Sequence, residues 1–136
     1  MTHADRRAQA AGWRGTTAPK GVDPPVHMSD WVAVCRLSDI VPNTGVCALV
    51  GGRQVAVFRV DQDAVYALSN RDPFSQANVL ARGIVGDVKG ELMVASPVYK
   101  QHFALASGVC LEDPAVRVPV FPARVERDTV WVQAAL

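Results

Sequence analysis

Cysteine and histidine are scarce in this chain, three of each in 136 residues. Cys35, Cys47 and Cys110 are far apart and no Cys-x-x-Cys occurs. That excludes a zinc-ribbon site and argues against a disulfide framework. Each thiol is expected to be a small buried hydrophobe. His3 and His27 fall in the N-terminal stretch, so His102 is the only histidine of the expected folded region. Neither sign of charge is in excess: 14 Lys and Arg oppose 13 Asp and Glu, a net charge of +1. No strong field therefore points to nucleic acid or to an anionic membrane. No apolar run approaches the roughly 20 residues that span a bilayer. The opening Met1-Thr2-His3-Ala4-Asp5-Arg6-Arg7 lacks the apolar core of a secretory signal, so a cytoplasmic location is expected. No nucleophile stands beside a base. Gly51-Gly52 and Arg82-Gly83-Ile84-Val85-Gly86 lack the strand-to-helix setting of a phosphate loop and read as turn glycines. Glu112-Asp113 and the Asp61/Asp63 pair read as solvated turn carboxylates.

What is present is one domain's worth of β-forming sequence. Hydrophobic residues make up 49% and charged residues 20%, a balance that permits a packed core. Residues 1–29 differ from the rest: glycines and prolines recur without period, and four Lys and Arg stand against two Asp and Glu. Such a stretch cannot offset its ordering entropy and is expected to be a flexible extension. Met28 is a candidate alternative start. The extension is either a tail without a role or a partner-docking arm. Residues 30–136 carry the domain. Val-rich runs at 31–35, 46–50, 54–60, 65–68, 84–85, 92–95, 102–105, 116–120, 123–125 and 130–132 alternate with turn signals, the pattern of an antiparallel sandwich or barrel. Leu37–Ile40 reads as one helical turn. Two longer loops interrupt the rhythm, Ser69–Gly83, with a helical turn expected near Gln76–Leu80, and Ser96–Gln101. Loops of the first one's length tend to be functional.

Those two loops carry a resemblance. Ala67-Leu68-Ser69-Asn70, Asp72-Pro73-Phe74 and Leu80-Ala81-Arg82-Gly83 resemble the first cluster loop of Rieske domains. Ala95-Ser96-Pro97-Val98-Tyr99-Lys100-Gln101-His102-Phe103 and Ser107-Gly108 resemble the second. Within that family, Asn78 to Asp87, Ala95 to Phe103 and Cys110-Leu111-Glu112-Asp113-Pro114 are similar to the small subunits of assimilatory NAD(P)H-dependent nitrite reductases. The resemblance covers about residues 31–133. It implies an all-β, Rieske-like antiparallel sandwich or barrel with two inserted loops at the former site of a [2Fe–2S] cluster.

The resemblance also implies that the ligands are gone. Asp72 and Ser96 stand where the two thiolates belong, Phe74 and Tyr99 where the two imidazoles belong. A Rieske centre needs two of each. Carboxylate and hydroxyl oxygens replace soft sulfur poorly, and phenylalanine has no donor atom. The two rings are expected to fill the vacated volume. The alternative is that Phe74 and Tyr99, with Lys100 and His102, form an exposed docking surface. His102 has no carboxylate or cysteine partner close in sequence, which favours an ordinary strand-start hydrogen bond over a catalytic or contact role.

Two functions remain open on the sequence. By resemblance, the chain is a redox-inactive accessory subunit. It would dock on a large subunit that carries FAD, sirohaem and a [4Fe–4S] cluster and reduces nitrite to ammonium. No cofactor, metal or catalytic residue is expected on this chain. The alternative is a stand-alone, cluster-free interaction or regulatory module. A Rieske ferredoxin with unusual ligands is a third, weaker reading.

Overall fold

The computed structural model describes residues 31–133. The extension expected over residues 1–29 lies outside the described residues. Ten strands follow in chain order: β1 (Trp31–Arg36), β2 (Thr44–Val50), β3 (Arg53–Val60), β4 (Ala64–Ser69), β5 (Ile84–Val88), β6 (Glu91–Ala95), β7 (His102–Ala104), β8 (Val120–Phe121), β9 (Ala123–Glu126) and β10 (Thr129–Gln133). Among the described residues the helical elements are two 3-10 turns, Leu37–Asp39 and Leu80–Arg82.

The strands form three antiparallel sheets, ordered β1-β10-β9, β2-β3-β4-β8 and β5-β6-β7. The middle sheet is buried on both sides, and β3 shows why. Its residues read Val55-Ala56-Val57-Phe58, with no polar alternation, as expected of a strand covered on both faces. Val55 and Val57 join Val34, Val130 and Val132 in one core, beneath the β1-β10-β9 sheet. Ala56, Phe58 and Val60 face the other way and join Leu68, Val94, Phe103 and Leu105 in a second core, beneath β5-β6-β7. The second core lies under the two loops.

Tight turns fix the hairpin registers. Gly51 and Gly52 (φ 56 and 80) close β2–β3, and Lys89-Gly90 (φ 53 and 85) closes β5–β6. Two left-handed residues in succession match the strands' twist. Three expectations need correction. The helical turn foreseen near 76–80 sits at Leu80–Arg82, because Gln76 is left-handed (φ 62) and ends any right-handed turn before it. The strand foreseen over 116–120 contributes only Val120 and Phe121 to a ladder, with Arg117 making an isolated bridge to Val109. Pro119 lacks the N–H that would continue it. Gly86 is a strand residue of β5 and not a turn glycine.

Candidate functional site

Each loop carries a short polar residue followed by proline, a pairing that starts a turn. Asp72 closes the first. Its Oδ1 accepts the N–H of Phe74 at 2.8 Å and of Ser75 at 3.4 Å. Its backbone carbonyl accepts the N–H of Gln76 at 2.7 Å, and its own N–H donates to Ala77 at 2.8 Å. Ser96 closes the second in the same way: its Oγ accepts the N–H of Val98 at 3.3 Å, and its N–H donates to the Gln101 carbonyl at 2.9 Å. Asn70 ties the first loop to the sheet. Its Oδ1 accepts the Ala81 N–H at 2.7 Å and its N–H donates to the Gln54 carbonyl at 3.0 Å.

The two loop-closing side chains then meet. The Ser96 hydroxyl donates to Asp72 Oδ2 at 2.5 Å. Asp72 is 0% exposed and Ser96 1%. Burial alone would push the Asp72 carboxyl up, but the Ser96 hydroxyl and the N–H groups of Phe74 and Ser75 together outweigh it and hold the carboxyl below its ordinary value. A buried carboxylate with three donors is satisfied, and it joins two loops 24 residues apart. The sequence reading weighed these two residues only as poor iron ligands. The signal it passed over is the repeated short-polar–proline step, Asp72-Pro73 and Ser96-Pro97.

The other two positions part company. Phe74 is half-buried and its ring lies against buried Phe103, with centroids 6.2 Å apart. Tyr99 is 61% exposed, so it does not fill the vacated volume as expected. Lys100 turns the second loop with φ 65 and keeps Tyr99 at its tip. Pro97, Val98 and Lys100 are exposed beside it.

His102 has a partner that sequence proximity does not reveal. Its Nδ1 lies 2.6 Å from Glu112 Oε2, and its backbone N–H donates to Glu112 Oε1 at 2.8 Å. Glu112 is therefore engaged and not simply solvated as read from sequence. Burial pushes its carboxyl up, but the His102 N–H and ring overcome this and lower it. Both side chains are over a third exposed, so the pair contributes about 1 kcal/mol or less. Cys35 and Cys110 are buried, Cys47 is half-buried, and no disulfide joins them.

These residues do not fit a [2Fe–2S] cluster. Both carboxylate oxygens of Asp72 already accept hydrogen bonds, Ser96 offers a hydroxyl, Phe74 offers only carbon, and Tyr99 is exposed. Among the described residues no group of three or more His, Cys, Asp or Glu is placed to hold a metal ion.

The model of the Rieske-like [2Fe–2S] domain family matches residues 30–133. "Nitrite reductase (NADH) small subunit" of Salmonella typhimurium is 51% identical over 107 residues, spanning 78% of this chain and 99% of the relative. A stretch of "Nitrite reductase [NAD(P)H] large subunit" of Klebsiella oxytoca is 43% identical over 110 residues, 81% of this chain but only 11% of that protein. The solution structure of the nitrite reductase [NAD(P)H] small subunit from Erwinia carotovora superposes with a TM-score of 0.69 at 52% identity, covering 79% of this chain and 84% of that one. The chain belongs to the Rieske-like domain family and, within it, to the family of nitrite reductase small subunits.

Proposed function

We propose that this chain is the redox-inactive small subunit of an NAD(P)H-dependent nitrite reductase, acting in the cytoplasm by docking on the cofactor-bearing large subunit. The family resemblance implies FAD, sirohaem and a [4Fe–4S] cluster on that partner, which would reduce nitrite to ammonium. Residues 30–136 would form the docking domain, with residues 1–29 as an appended extension.

The match inside the Klebsiella oxytoca large subunit carries this reading. In that protein a domain like this one shares a polypeptide with the rest of the large subunit. A tether supplies a millimolar effective concentration without any affinity. A separate chain must replace that tether with an interface. The exposed tip, Tyr99 and Lys100 with His102 beside it, suits the work, since an exposed tyrosine can anchor an interface core while a lysine beside it suits the polar rim. Phe74 is assigned to packing instead.

A tagged large subunit binding this chain in solution tests the proposal. Tyr99→Ala/Lys100→Ala should weaken the complex about 10–100-fold while leaving thermal unfolding unchanged. Phe74→Ala should do the reverse, costing about 2 kcal/mol of stability for its half-buried ring, with affinity following only through folding. A wild-type chain that never associates, and whose removal leaves nitrite reduction intact, would favour a stand-alone module.

A further inference from the structure

The β3–β4 ladder pairs Val55 with Ser69, and it continues where the Asn70 N–H donates to the Gln54 carbonyl. Beyond that bond the chain bends and the ladder ends: Arg71 makes an isolated bridge to Asn78, which leaves it beside the start of β3, where Arg53 lies. Both arginines are exposed and line one depression of about 320 Å³ with Gln54, Ser69 and Asn78. Like charges that share one depression repel each other. Among the described residues the ion pairs involve other side chains, and no carboxylate answers either guanidinium. The sheet end therefore carries two unanswered cations around one depression, and an anion seated there would be attracted by both.

We propose that Arg53 and Arg71 form a clamp for carboxylate side chains on an acidic segment of the large subunit; this rests on the docking role proposed above. Charge complementarity selects the occupant. A guanidinium fork matches a carboxylate with two parallel hydrogen bonds. The depression is open and about ten times the roughly 30 Å³ share of a single water, so a small inorganic ion would stay hydrated there. A protein side chain arrives with its own surface and expels that water. Arg71 directly precedes Asp72, so the clamp adjoins the first loop and extends the proposed docking surface along the sheet end.

The experiment compares the full chain with Arg53→Glu/Arg71→Glu and Arg53→Gln/Arg71→Gln in binding to the large subunit at 50 and 300 mM NaCl. The glutamate pair should lose at least 100-fold in affinity at 50 mM, and its affinity should lose most of the wild-type salt dependence. The glutamine pair should lose about 10-fold and melt no lower than wild type, because both side chains are exposed and neither makes an ion pair. If wild type binds and the glutamate pair binds equally well, the clamp is wrong while docking stands. If the glutamine pair melts several degrees lower, the arginines are structural and the clamp is wrong. Titration of the isolated chain with sodium nitrite or inorganic phosphate should leave the Arg71 and Asn78 amide resonances unmoved below millimolar concentration; saturable shifts there would replace the clamp by a small-oxyanion site. If wild type fails to bind at all, the docking role falls and the clamp with it.

Discussion

Replacing Asp72 by alanine should cost about 3–5 kcal/mol, a large fraction of a small domain's total stability. The change removes the acceptor of three donors at once: the Ser96 hydroxyl and the N–H groups of Phe74 and Ser75. Ser96 is buried, and the two N–H groups lie in the same partly buried loop, so water reaches them poorly. Ser96→Ala leaves the carboxylate its two N–H donors and should cost less, about 1.5–3 kcal/mol. Asp72→Asn keeps the shape and one acceptor and isolates the charge. The Asp72 carboxyl lies below its unfolded value near 3.9. Its contribution is therefore complete above about pH 4 and is lost as pH falls through the lower folded value. Wild type should lose stability relative to Asp72→Asn over that acid range, and the two curves should run parallel above about pH 5. Urea unfolding at pH 7 and across pH 2–5 measures both effects.

Gly108→Ala should be comparably damaging, about 2–5 kcal/mol. Gly108 follows β7 with φ 78, and a Cβ there would lie only 2.0 Å from the Val118 carbonyl oxygen. The opposing partner is backbone, so no side-chain rotation relieves the clash. The same residue donates its N–H to Ala104 and accepts from Val118 at 2.9 Å, holding the segment that seals the second core. The left-handed backbone adds about 1–2 kcal/mol for any residue with a Cβ, and overpacking about 1–3. Gly52→Ala provides the contrast, since φ is 80 there but nothing lies within 4 Å of the added methyl. Only the backbone cost should remain. Thermal unfolding of the two variants side by side separates strain from collision.

The fold was readable because its cause is local. Val55-Ala56-Val57-Phe58 announces a strand buried on both faces, and Gly51-Gly52 announces the turn before it. Strand boundaries failed where a single residue overrides the pattern, as Gln76 and Pro119 do. The site was readable only as an absence. That Asp72 and Ser96 are not cysteines is a fact of composition; that they bond to each other depends on sheets that bring positions 24 residues apart together. His102 and Glu112 meet for the same reason, and Arg53 and Arg71 come to line one depression at the sheet end. The sequence leaves Tyr99 either inside with Phe74 or on an exposed docking tip, since both rings are aromatic and both occupy imidazole positions. The left-handed backbone at Lys100 keeps one ring out, while Phe103 holds the other in.

The two loops thus have the frame of a cluster site with a hydroxyl-to-carboxylate bond at its centre. That bond holds the loops in place, with Tyr99 exposed at the tip of the second. The most direct test is iron and acid-labile sulfide analysis of the chain purified without air, beside its visible spectrum. The account predicts a colourless protein with neither element above background. Two irons and two sulfides per chain, with the absorbance of a [2Fe–2S] centre, would contradict it.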